Sequence, residues 1–214
     1  VELIKMIQVK ICGLSTPETI TAALENGADF VGLVFYPPSP RHVDLEVAQY
    51  LASFIPSQVN LVGLFVNPDD KLLNDVLGVV PLKMIQLHGE ETPARVNEIK
   101  NKFNLPVMKA IPIETAEDLK DIPLYEGIAD WFLFDSKGKT LPGGNGMAFD
   151  WTLLKNYKSD TPWMLAGGLE PENVQQALEI VSPDAVDVSS GVESSKGVKD
   201  RQKIQAFIQA VKKA

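Results

Sequence analysis

The chain has 214 residues, 45% of them hydrophobic and 22% charged, with a formal net charge of −8. That length can bury one large core, and the composition is that of an ordinary globular protein. The acidic balance, with no Lys/Arg block, excludes the concentrated basic patch that a nucleic-acid partner requires, so any anionic ligand must be held by a local device such as backbone N–H groups.

A single cysteine, Cys12, rules out an internal disulfide and a multi-cysteine zinc site, and two histidines rule out a multi-histidine metal site. No apolar run reaches the roughly 18 residues of a membrane span. The segment Val1-Glu2-Leu3-Ile4-Lys5 lacks the layout of a signal peptide. The expectation is a soluble, cytoplasmic chain with no membrane partner. Periodicity does not separate interface from core residues, so it sets no oligomeric state.

In chain order, eight short apolar runs stand at residues 7–11, 30–35, 60–65, 83–87, 106–110, 131–134, 163–166 and 185–188. They are too short for helices and lack strict alternation, which suits parallel strands buried on both faces. The intervening segments read as helices. Thr16 before Pro17 is an N-cap followed by proline at the first helical position. Segment 115–120 is the weakest helix, because it is short and runs into Pro123. Asp150 is a candidate cap for the stretch that follows it. Val174, Ala177, Leu178 and Val181 form a helical stripe, as do Ile204, Phe207, Ile208 and Val211.

Eight strand-then-helix units predict an α/β fold, a closed (β/α)8 barrel with short loops, as one domain over residues 1–214. The competing open doubly wound sheet would have fewer strands and a glycine fingerprint near the N-terminus, whereas here the glycine-rich turns come late.

In such a barrel the active site is built at the carboxyl ends of the strands, and that position selects the candidates. Cys12 ends strand 1. It reads either as a small buried hydrophobe or as a thiolate base or nucleophile, the latter requiring a nearby cation. Asp135 ends strand 6, three steps from strand 1 around the ring. An acid and a base there would reach opposite sides of one small substrate. Gly167-Gly168 after strand 7 and Ser189-Ser190-Gly191 after strand 8 are small-residue turns suited to cradling a phosphate. Asp187 has the same strand parity as Ser189. Arg41, approached through Pro38 and Pro40, reads as a carboxylate clamp or as a merely solvated arginine. Gln86 and His88 end strand 4. Gly143-Gly144-Asn145-Gly146 reads as a loop over the mouth or a flexible turn.

Taken together these segments resemble the phosphoribosylanthranilate isomerase family of tryptophan biosynthesis. The likeness runs in order through Val9-Lys10-Ile11-Cys12-Gly13, the segment from Gly32 to Arg41, Gly63-Leu64-Phe65-Val66-Asn67 and Gln86-Leu87-His88-Gly89-Glu90. It continues through Leu133-Phe134-Asp135, the loop at 143–146, Gly167-Gly168-Leu169 and Asp187-Val188-Ser189-Ser190-Gly191-Val192-Glu193. The resemblance implies a cofactor-free Amadori rearrangement of a small phosphosugar. Asp135 would be the general acid and Cys12 the general base. Arg41 would hold the anthranilate carboxylate, and the turns at Gly167-Gly168 and Ser189-Ser190-Gly191 the phosphate. A free thiol is mostly protonated at neutral pH, so the site must supply positive character. Lys10, on the same strand side as Cys12, is one source, and the iminium intermediate is another.

Other readings stay open on sequence alone. The related isomerase of histidine biosynthesis would be expected to use two aspartates, and indole-glycerol-phosphate synthase a lysine and glutamates. Cys12 argues against both, and fold alone would not separate them. The remaining alternatives are a non-catalytic phosphosugar-binding barrel and a structural protein whose strand-end residues are incidental.

Overall fold

The computed structural model describes residues 6–137 and 148–214. The expected loop at 143–146 lies outside the described residues. The barrel strands are β1 (Gln8–Cys12), β2 (Phe30–Phe35), β3 (Asn60–Phe65), β4 (Met84–Leu87), β5 (Val107–Ile113), β6 (Trp131–Ser136), β7 (Trp163–Leu165) and β8 (Ala185–Val188). They pair in parallel in sequence order, and β8 closes on β1. The runs at 30–35, 60–65 and 185–188 match their strands residue for residue. The other strands depart by one to three residues at an end, as β6 does by continuing to Ser136.

Among the described residues six α-helices lie between or after the strands: α1 (Pro17–Asn26), α2 (Leu45–Ala52), α3 (Asp70–Leu77), α4 (Pro93–Phe103), α5 (Val174–Ile180) and α6 (Arg201–Val211). Their starts follow the local chemistry. The hydroxyl of Thr16 accepts the Thr19 N–H ahead of Pro17, as expected, and Asp44, Asp69, Thr92 and Asp200 cap α2, α3, α4 and α6 in the same way.

Two of the expected helices are replaced by 3-10 turns, Asp118–Tyr125 after β5 and Trp151–Leu154 after β6. In the first, Pro123 has no N–H to continue an α-helix, and the Asp118 carboxylate takes the N–H groups of Glu114 and Thr115. Asp150 does cap the second. An unexpected antiparallel hairpin, β9 (Glu193–Ser195) and β10 (Val198–Lys199), lies between β8 and α6 and turns through Gly197 at φ 83°. No helix among the described residues is long and apolar enough to cross a membrane.

Strand register and two-residue alternation sort the interior into layers drawn from alternate strands. Phe30, Met84, Trp131 and Ala185 form the floor, and Lys10, Val62, Met108 and Met164 lie above them. The next layer is Gly32, Gln86, Leu133 and Asp187, followed by Cys12, Leu64, Ala110 and Ala166. The lower layers are mostly apolar, whereas polar side chains gather toward the carboxyl ends. The outward residues of the same strands, such as Ile11, Val31, Leu33 and Phe134, pack on the helices in a continuous core.

Lys10 breaks the apolar pattern. It is fully buried, and its register partner is Asp187, whose Oδ1 lies 2.9 Å from Nζ. Burial pushes the Lys10 ammonium down, but Asp187 and Cys12 more than reverse this and hold its pKa above the ordinary value. An ammonium so placed is sustainable only because the carboxylate is built into the neighbouring strand.

Candidate active site

Cys12 closes β1 with its thiol at the barrel mouth, buried beside Val34 and Leu64. A Cβ on Gly32 would fall 2.9 Å from Sγ, so glycine at this β2 position makes the room the thiol occupies. Burial pushes the thiol pKa up, and Asp187 adds to this. Lys10 and Lys199 pull the other way without overcoming it. The expectation of a nearby cation is therefore met by Lys10, but burial still favours the neutral thiol.

Asp135 lies on β6, three strand steps from β1. It is buried, and each carboxyl oxygen has a neighbour. Oδ1 accepts the Ser136 N–H at 2.8 Å, and Oδ2 is 3.2 Å from His88 Nε2. Gln86 Nε2 lies 3.0 Å from His88 Nδ1. An amide N–H donated there leaves the imidazole proton on Nε2, directed at Asp135. Gln86 and His88, singled out as the end of strand 4, thus form a line that orients the carboxyl. Gln86 Oε1 is buried with no protein partner among the described residues.

The small-residue turns are held close by sterics. Gly167 and Gly168 both have positive φ, 79° and 67°. A Cβ on Gly167 would lie 2.5 Å from the Ser136 nitrogen and 3.0 Å from Asp135 Oδ1. A Cβ on Gly191 would lie 1.9 Å from the Leu169 carbonyl oxygen, so the turns after β7 and β8 touch through backbone. The expected outcome of Gly191→Ala is a loss of about 1–3 kcal/mol of stability, read as a lower midpoint in urea unfolding. Ser190 and Gly191 lie in a short 3-10 turn, and the Ser189 hydroxyl donates to the Cys12 carbonyl at 3.1 Å.

Arg41 is aimed, but by a partner the sequence did not disclose. It is 7% exposed, and its guanidinium meets Glu193 through Nε at 2.6 Å and Nη2 at 3.0 Å. The same carboxylate accepts from Lys199 at 2.9 Å and from the Gly197 N–H at 3.0 Å. Burial pushes the Glu193 carboxyl up, but Arg41, Lys199 and Gly197 together lower it to about 2. A folded-state pKa below the unfolded one stabilises at pH above the unfolded value, and that stability is lost as pH falls toward the folded value. For Glu193 the window runs from 4.5 down to about 2. Urea titrations across it are expected to show wild type losing stability more steeply with acid than Glu193→Gln; parallel curves would refute the assignment.

Glu193 and Lys199 were the residues missed as site components. A Lys-Gly turn between Val192 and Val198 was the available hint of a hairpin. Among the described residues no group of three or more His, Cys, Asp or Glu is placed to hold a metal ion.

A closed parallel barrel whose carboxyl-end rim gathers a thiol, a carboxyl and an imidazole is a (β/α)8-barrel enzyme of the acid–base kind. The family model for N-(5'-phosphoribosyl)anthranilate (PRA) isomerase matches residues 9–210, and the chain belongs to that family. The N-(5'-phosphoribosyl)anthranilate isomerase of Paramagnetospirillum magneticum is 51% identical over 209 residues, covering 96% of this chain and 97% of that one. The crystal structure of phosphoribosyl anthranilate isomerase from Thermotoga maritima superposes with a TM-score of 0.88 at 38% identity, covering 98% of this chain and all of that one. A phosphoribosyl anthranilate isomerase structure in complex with reduced 1-(o-carboxyphenylamino)-1-deoxyribulose 5-phosphate is 36% identical, with a TM-score of 0.84 and coverage of 98% and 100%.

Proposed function

We infer that this chain isomerises N-(5'-phosphoribosyl)anthranilate to 1-(2-carboxyphenylamino)-1-deoxyribulose 5-phosphate, a step of tryptophan biosynthesis, with Cys12 and Asp135 dividing the proton transfers. The observation that carries the reading is the placement of the only thiol and a histidine-oriented carboxyl on strands three steps apart around one closed barrel.

Asp135 protonates the ribose ring oxygen, the C1–O bond breaks, and the anilino nitrogen's lone pair forms the iminium. That cation acidifies the C2 proton, which Cys12 removes as thiolate to give the enolamine. Tautomerisation to the ketone completes the isomerisation. Substrate and product have the same atoms and overall oxidation level, so the chemistry calls for no cofactor. Reaction requires the thiol deprotonated and the carboxyl protonated. Because burial favours the neutral thiol, the positive charge that develops on the iminium is what makes the thiolate accessible.

Arg41 is assigned to the anthranilate carboxylate. The turns Gly167-Gly168 and Ser189-Ser190-Gly191 are assigned to the phosphate. Asp187 keeps Lys10 charged beneath the thiol, and Gln86 with His88 directs the acid. The relative bound to a reduced product analogue supports a phosphosugar ligand. The test is turnover of freshly generated phosphoribosylanthranilate, followed by the change in anthranilate fluorescence. Rapid conversion is expected, whereas folded protein that binds a product analogue without converting substrate would overturn the reading.

A further inference from the structure

We propose that Lys199 is a positioning residue that tunes Cys12 and seats Ser189, acting from a hairpin outside the barrel. The proposal rests on the functional reading above. The Lys199 ammonium is buried and donates to the Ser189 carbonyl at 2.8 Å and to the Ser189 hydroxyl oxygen at 3.1 Å. That hydroxyl in turn donates to the Cys12 carbonyl at 3.1 Å. One chain of contacts therefore runs from Glu193 through Lys199 and Ser189 to the residue that bears the base.

The charge count points the same way. Lys10 and Asp187 neutralise each other beneath the thiol. Glu193 accepts from both Arg41 and Lys199, so Lys199 shares its carboxylate partner. Among the described residues the charged groups facing Cys12 are Lys10 on its own strand, Asp187 from β8 and Lys199 from β10. Arg41 packs against Gly13, and Tyr36 packs on the same apolar cluster as the thiol. β2 and β3 contribute only Gly32, Val34 and Leu64. Lys10 pairs with Asp187, whereas Lys199 shares Glu193 with Arg41. Burial pushes its own pKa down while Glu193 opposes the shift.

Since Cys12 is the only cysteine, its thiolate can be titrated by ultraviolet absorbance as the difference from Cys12→Ser, which cancels the tyrosines. Lys199→Met is expected to move the Cys12 titration up by about one pH unit, and Lys199→Arg to restore it. Loosened packing without an electrostatic role would instead relieve burial and move the thiol down. A titration that is unchanged or lowered in Lys199→Met overturns the proposal. Should that variant fail to fold, Glu193→Gln is read instead. Freeing both cations from the carboxylate is expected to lower the titration, and no shift or a rise counts against the idea. The titration uses enzyme without substrate, so it reads out even if wild-type turnover, the test of the functional reading, is absent.

Discussion

Cys12→Ala is expected to lower kcat by about 10²- to 10⁴-fold, the usual contribution of a positioned general base, while leaving the fold intact. The substitution keeps Cβ and removes one heavy atom from the small cluster with Val34 and Leu64. The stability cost should be about 1 kcal/mol, small beside the catalytic loss. No other thiol is present, and the neighbouring cations Lys10 and Lys199 lack a basic lone pair while charged. Stopped-flow fluorescence on folded Cys12→Ala decides the matter: turnover within a few-fold of wild type would make Cys12 the small buried hydrophobe that its burial alone suggests.

Much of this site was legible in the sequence, for reasons particular to the fold. The segments 30–35, 60–65 and 185–188 could be read as strands because both of their faces are buried. Cys12, Asp135 and the late glycine turns followed from the rule that barrel chemistry sits at the carboxyl ends of strands. Lys10 was visible through its parity with Cys12. Its partner Asp187 was visible only as a residue in step with Ser189, since their pairing depends on β8 closing against β1. The tie between Arg41 and Glu193 spans 152 positions and has no local signal at either end. The prolines near Arg41 accounted for its rigidity on paper, whereas a carboxylate from β9 supplies it in the structure. The helices expected after β5 and β6 were misread because Pro123 interrupts the first and the second is only four residues long, too short to show an apolar stripe.

Asp135→Asn should cost kcat about as much as loss of the base, roughly 10²- to 10⁴-fold, with a smaller change in KM. The amide is nearly the same size, and its oxygen can still accept the Ser136 N–H, so position and packing are retained. It cannot supply a proton to the ring oxygen. Its NH2 group would face the His88 Nε2–H, which favours the other imidazole tautomer. Gln86 can accommodate that tautomer by turning Oε1, now unpartnered, toward Nδ1. The variant therefore isolates the acid from its scaffold. Because the C2 proton becomes acidic only after the ring opens, base and acid act in series on one intermediate. The double variant Cys12→Ala, Asp135→Asn should then be little slower than the worse single variant, far from the product of the two losses. Rates that multiply would mean that both groups contribute to a single rate-limiting transition state. An Asp135→Asn enzyme within a few-fold of wild type would remove the carboxyl from the acid's role and leave His88, on the same rim, as the proton donor.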